Sequence, residues 1–226
     1  MQIKFRKWAE QLLLAFNLII AFLFLFEDQL VLPAWLQAFG RMHPLLLHFP
    51  IVLLLMAMLL EFFRFKSQNA VNPLYEKFLD LTLLGGTWLA AITVVMGLFL
   101  AREEGYGGTL LNWHKWTGVG IFYLSSCIYF LRNSTWYRSV IARLAAIVLC
   151  LGLVLTGHYG AALTHGENFI TEPFISQQKA NPVTLEEAVL YHDVIKPILE
   201  QKCISCHNPE KLKGQLILSD PSSLKK

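Results

Sequence analysis

Charge is scarce in this chain. Only 15% of its 226 residues are Asp, Glu, Lys or Arg, against roughly 25% in soluble globular domains. The few basic residues are scattered or lie beside apolar runs. The net charge of +3 therefore carries no basic stripe, and nucleic acid is excluded as a partner. Cysteine is scarce too, with four residues in all. Only Cys203 and Cys206 form a Cys-x-x-Cys pair, so a structural zinc site made of two such pairs is excluded. No βαβ pattern surrounds that pair, which excludes a thioredoxin-like redox centre. There is no internal repeat and no low-complexity segment.

Apolar residues are what the chain has, at 55%. Five apolar spans are readable: 8–26, 45–63, 78–100, 116–131 and 140–163. Each approaches the ~20 residues that cross a ~30 Å hydrocarbon core. Trp8, Trp113, Trp116, Trp136 and Tyr137 fall at span ends, as an interfacial aromatic belt requires. The expected fold class is all-α: a polytopic transmembrane bundle followed by a short helical segment. The expected division is an N-terminal transmembrane helix at 1–30, an extracytoplasmic connector at 31–44, a four-helix membrane bundle at 45–168, a linker at 169–184 and a C-terminal segment at 185–226. The first span also has the basic-then-apolar order of a signal peptide, but Glu27-Asp28-Gln29 follows it in place of a small-residue cleavage site, so it is expected to remain.

Orientation follows from the loops. Lys4, Arg6, Lys7, Arg64, Lys66, Lys77, Arg132, Arg138 and Arg143 flank one side, and Arg41, Arg102 and Lys115 the other. Nine against three places the N-terminus in the cytoplasm. Five crossings then place the C-terminus outside.

That end carries Cys203-Ile204-Ser205-Cys206-His207. Cys-x-x-Cys-His is the attachment sequence of a c-type haem. Two thiols one short turn apart add to the two vinyl groups, and the adjacent His becomes the proximal iron ligand. Such attachment occurs outside the cytoplasm. The charge bias and the motif thus agree without sharing any residue.

The remaining histidines are placed unevenly. His43, His48, His114, His158 and His165 all fall at the outer surface under this topology. Three readings stay open: interfacial residues bonded to loops and headgroups; axial ligands of a haem b, with His48 and His114 or His158 as the best pair; or a quinol or metal site that adds Glu103, Glu104 or Glu167. Glycines at 85, 86, 97, 118, 120, 152, 157 and 160 lie within spans and let helices, or a flat ring, approach closely. Cys127 and Cys150 read as small apolar core residues.

The linker holds Pro173 and Pro182. Thr184-x-x-Glu187 is a capping box that starts a helix. Pro197 fits a helix only in its first turn, so a second helix is expected from about Lys196, delivering Cys203.

Two resemblances add to this. His43-Pro44 through Pro50, Asn112-Trp113-His114, Thr156 to Gly160 and Leu163 to Glu167 resemble a bacterial four-helix membrane-domain family of uncharacterised function, over about residues 40–168. Ile195 to Leu199, Lys202 to His207, Asn208-Pro209 and Lys213 to Leu216 through Asp220 resemble the planctomycete-type cytochrome c domain. The second resemblance implies haem c on Cys203, Cys206 and His207. It also implies a distal methionine, whereas no Met follows Met96 here. The segment is therefore expected to be the start of a longer domain. His192, Lys211 and Lys213 are the other donors, with His192 the best placed.

The expected function is membrane-anchored electron transfer at the outer face of a bacterial inner membrane, as carrier or redox-complex subunit rather than stand-alone enzyme. Its cofactor is haem c, with haem b or quinone as a candidate electron source. Its partners are the bilayer and a redox protein or respiratory complex. The alternatives are an anchor or assembly subunit without redox chemistry in the bundle, and a haem-based redox sensor.

Overall fold

The computed structural model describes residues 2–70, 72–103, 105–166, 171, 174, 189–204, 207–208, 211–212 and 216–219. The helices are α1 (Gln2–Leu25), α2 (Ala34–Gly40), α3 (His43–Leu46), α4 (His48–Phe63), α5 (Ser67–Ala70), α6 (Pro73–Leu100), α7 (Gly108–Leu131), α8 (Ser139–His165) and α9 (Lys196–Lys202). A π-helical turn, Leu190–Ile195, leads into α9. Strands β1 (His207–Asn208) and β2 (Lys211–Leu212) pair antiparallel, with His207 opposite Leu212.

Local chemistry sets the boundaries. α6 starts where the Asn72 side chain accepts the N–H groups of Leu74 and Tyr75, at 3.0 and 3.3 Å, with Pro73 in the first turn. α2 stops at Gly40, whose carbonyl the Pro44 ring would crowd four residues on. Pro50 stands in the same relation to Leu46, and the chain breaks at Leu47, between α3 and α4. The expected connector at 31–44 is thus largely helical, and the two sides of this break are bent by 46°.

The structure is mostly helical, and among the described residues three helices, not five, are long and apolar enough to cross a membrane: Arg6–Leu25, Pro73–Leu100 and Ser139–His165. Counting the bent pair, Ala34–Leu46 with His48–Phe63, as one span makes four. The physical reasons are legible. α4 alone has 16 residues, about 24 Å at 1.5 Å per residue. α7 is a continuous 24-residue helix, but Asn112, His114, Lys115, Thr117, Ser125 and Ser126 dilute its apolar character.

The chain divides into two compact units. The first comprises residues 1–102 and 115–156, the second 103–114 and 157–226. The core of the first unit joins Leu13 and Ile20 of α1, Leu54 and Met58 of α4, Leu79 and Leu83 of α6, Phe122 of α7 and Leu149 of α8, all fully or almost fully buried. α1 is therefore an integral helix and not a loose anchor. Asn17 ties it to α7, donating to the Ser126 hydroxyl at 2.9 Å and accepting from the Tyr123 hydroxyl at 2.8 Å through its carbonyl. Trp88 of α6 donates to the Ala9 carbonyl at 3.1 Å. Outward faces stay apolar, as lipid contact requires: Leu18, Leu59 and Leu151 are exposed. Cys127 is also on an exposed face, so the core position expected for it is corrected, whereas half-buried Cys150 packs against the core. An apolar thiol suits hydrocarbon contact as well as a core.

Candidate functional site

The Cys203–His207 segment lies in the second unit. The helix expected near Lys196 runs from Lys196 to Lys202 with Pro197 in its first turn, and Cys203 caps its C-terminus. Proline explains the π turn ahead of it. Pro197 has no N–H for the Asp193 carbonyl and its ring crowds that group, so the chain widens and Lys196 donates to the Tyr191 carbonyl, five residues back. Asp193 fixes the start of the turn by accepting the Val189 N–H at 2.6 Å.

After α9 the chain folds back at once. The Cys203 N–H donates to Leu199 at 2.9 Å, and the His207 N–H donates to the Cys203 carbonyl at 3.1 Å. Asn208 fixes the turn through its amide, which donates to the Ile204 carbonyl at 2.8 Å. The Leu218 N–H donates to the His207 carbonyl at 2.8 Å. First cysteine and histidine thus occupy one closed turn. Cys206 lies outside the described residues. The His207 ring nitrogen Nδ1 is buried and has no hydrogen-bond partner among the described residues. Leaving such an atom unmet costs about 1–3 kcal/mol. In a haem c site His207 would ligate through Nε2, and the placement of Cys203 and His207 in one closed turn fits such an attachment. A cavity of about 120 Å³ adjoins the turn, lined among others by His192, Leu199, Ile204 and Leu218.

The membrane histidines fall into two classes. His48, His158 and His165 are exposed, as is His192 in the π turn. His43 and His114 are half-buried, each seated on a glycine of a neighbouring helix. His43 Nδ1 donates to the Thr93 carbonyl of α6 at 2.8 Å. A Cβ added at Gly97 would stand 3.1 Å from the His43 ring. In the second unit, a Cβ at Gly160 would stand 3.1 Å from His114, and Trp113 stacks on Tyr159 with centroids 6.2 Å apart. Gly160, one of the glycines expected to let a helix or a flat ring approach, makes room for the His114 ring. Gly157 faces open space.

The profile of a family described as predicted membrane proteins, DUF2231, matches residues 41–173. The chain belongs to that family. No curated protein and no solved structure matches it. The DUF2231 region holds the His43–Pro50 segment, both histidine–glycine seats and all of α4, α6, α7 and α8. It ends before Cys203. Among the described residues no group of three or more His, Cys, Asp or Glu is arranged to hold a metal ion. Of the other donors named from the sequence, Glu103 is half-buried, and Glu104, Glu167 and Lys213 lie outside the described residues. Lys211 sits in β2.

The DUF2231 bundle also contains a feature that sequence reasoning missed. Glu61, Arg64, Glu76, Asp80 and Arg132 form one ion-paired cluster, extended by Arg6 and Glu10 from α1. Arg132 is 3% exposed and Glu61 0%. Arg132 reaches Glu76 at 3.2 Å, Asp80 at 3.5 Å and Glu61 at 3.6 Å. Arg64 reaches Glu76 at 2.7 Å, and donates to the Arg132 carbonyl and to Asn133 at 2.9 and 2.8 Å. Burial, with Glu61 beside it, pushes the Tyr137 phenol above its ordinary value. Carboxylates inside apolar runs were the available signal, since a membrane charge needs a partner.

Proposed function

We propose that the chain is a membrane-anchored c-type cytochrome that carries electrons at the outer face of a bacterial inner membrane. One observation carries the reading: Cys203 and His207 share a closed turn at the end of α9, the placement that attachment through a Cys-x-x-Cys-His segment needs. Cys203 and Cys206 would hold the group covalently, and His207 would be its proximal ligand. Haem c, when bound, supplies a one-electron iron couple. The chain's own part is positional. α9 and the Asn208–Ile204 bond hold the turn, and the cavity beside it mixes Leu199, Ile204 and Leu218 with His192, Lys196 and Glu200. The excess of Lys and Arg beside the N-terminal, 64–77 and 132–143 segments supports a cytoplasmic N-terminus and an extracytoplasmic haem segment. Partners of this reading are the bilayer and a redox protein or respiratory complex.

Covalent haem should remain on the denatured polypeptide and stain by peroxidase activity in a gel. The Cys203→Ala, Cys206→Ala double variant should lose the stain. A band that stains equally without either cysteine contradicts the reading.

A second reading, a tether without redox chemistry in the bundle, has an observation of its own. His43 and His114 are seated on Gly97 and Gly160 as packing pieces. Acid–acetone extraction separates the two. Haem b is non-covalent, so extractable pigment, lost in His48→Ala or His158→Ala, supports a relay through the bundle. A colourless extract supports the tether.

A further inference from the structure

Charge is distributed unequally over the first unit. The N-terminus of α1, the C-termini of α4 and α7 and the N-termini of α6 and α8 carry nine basic side chains, from Lys4 to Arg143, and four acidic ones. All four acids, Glu10, Glu61, Glu76 and Asp80, are consumed in the cluster around Arg6, Arg64 and Arg132. Lys4, Lys7, Lys66, Lys77, Arg138 and Arg143 remain, all exposed. The other ends of these helices differ, because Arg102 pairs with Asp28 at 3.2 Å and Lys115 with Glu27 at 2.6 Å.

Two of the six cations are organised. Lys66 Nζ lies 4.4 Å from the Phe63 ring centroid, and the Arg143 guanidinium carbon 5.8 Å from that of Phe62. The two rings meet edge to face at 5.1 Å. A cation held over a ring keeps donors free on its outer side, and neither is ion-paired among the described residues. One turn further into the bundle, Leu59 of α4, which precedes Phe62 and Phe63, and Leu144 and Ile147 of α8, which follow Arg143, are exposed and apolar. Cations on an aromatic step beside an apolar face match the phosphate, glycerol and acyl parts of a phospholipid.

We propose that Lys66 and Arg143, held on Phe63 and Phe62, bind the headgroup phosphate of an anionic phospholipid, whose acyl chain lies on the exposed α8 face. The occupant is a lipid because the donors sit at the edge of an apolar surface. It is an anionic lipid because the internal ion pairs leave this end with uncompensated positive charge.

The test titrates the full chain, purified in neutral detergent, with fluorescent phosphatidylglycerol or phosphatidylcholine in mixed micelles. Phosphatidylglycerol should bind more tightly. Each cation near a membrane surface is worth about five-fold in affinity, so Lys66→Gln with Arg143→Gln should weaken phosphatidylglycerol binding about 25-fold. The Lys66→Arg, Arg143→Lys exchange should retain it, which shows that charge and not folding was lost. Lys4→Gln with Lys7→Gln should change it far less. Equal affinity for the two lipids overturns the proposal. So does an equal loss in the two Gln pairs, which means diffuse charge, or displacement by inorganic phosphate at matched concentration, which means a site for free anions.

Discussion

Replacing Arg132 by Met should be among the most damaging single changes in the bundle. Arg132 is 3% exposed, and its guanidinium faces Glu76, Asp80 and Glu61 at 3.2, 3.5 and 3.6 Å. Met keeps much of the apolar stem but removes the charge. Glu61, fully buried, then keeps Arg64 as its one cation among the described residues, at 3.5 Å, which is long for a charge-assisted bond. Removing one partner of a buried pair costs about 3–5 kcal/mol, because the other charge stays buried and uncompensated. At about 2–4 °C per kcal/mol for a chain of this size, the melting temperature should fall by roughly 6–20 °C. Tryptophan fluorescence of the protein in neutral detergent reads this. The Arg132→Met, Glu61→Met double variant should recover part of the loss, since residues of one charged network couple by about 0.5–3 kcal/mol. A single variant that melts within about 2 °C of the parent would refute the assignment of Arg132 as the centre of the cluster.

Two further outcomes are expected. Gly97→Ala should destabilise by up to about 2 kcal/mol, because overpacking against the His43 ring, 3.1 Å away and pinned by its bond to Thr93, outweighs the ~1 kcal/mol of helix propensity gained; Gly120→Ala, with nothing within 4 Å, should stabilise by up to about 1 kcal/mol, and melting shifts of the same sign contradict this packing. A C-terminal alkaline phosphatase fusion should be active and a fluorescent-protein fusion dark, and the reverse pattern contradicts both the orientation and the haem c proposal.

Much of the bundle was legible because apolar run length is a strong signal. The expected spans at 78–100 and 140–163 correspond to Pro73–Leu100 and Ser139–His165, and the extra turns came from a readable start, Asn72-Pro73, that was passed over. The second span was harder. Its apolar run begins at Leu45, yet Pro44 and Pro50 act on carbonyls four residues earlier, in the preceding turns, and these breaks set α2, α3 and α4. The charged cluster was not read because Arg6, Arg64 and Arg132 were counted as loop charges that mark orientation. Arg6–Glu10 and Arg64–Glu61 are local pairs, but Arg132 meets Glu61, Glu76 and Asp80, and Arg6 meets Asp80, only when the helix ends come together. The histidines show the same limit. Their placement was visible, but the seats of His43 on Gly97 and His114 on Gly160 depend on tertiary approach. The Cys-x-x-Cys-His segment stood out because its pattern is local, and α9 begins at Lys196, as a proline at 197 in a first turn implies.

The measurement that bears most directly on the central claim is the reduced spectrum of the purified full chain in alkaline pyridine after acid–acetone extraction. Thioether attachment saturates both haem vinyl groups and moves the α band to shorter wavelength than that of haem b. The account predicts that the washed polypeptide keeps one haem per chain with the haem c band, and that Cys203→Ala with Cys206→Ala abolishes it. A washed polypeptide with no haem band, from cells able to mature c-type cytochromes, would contradict it.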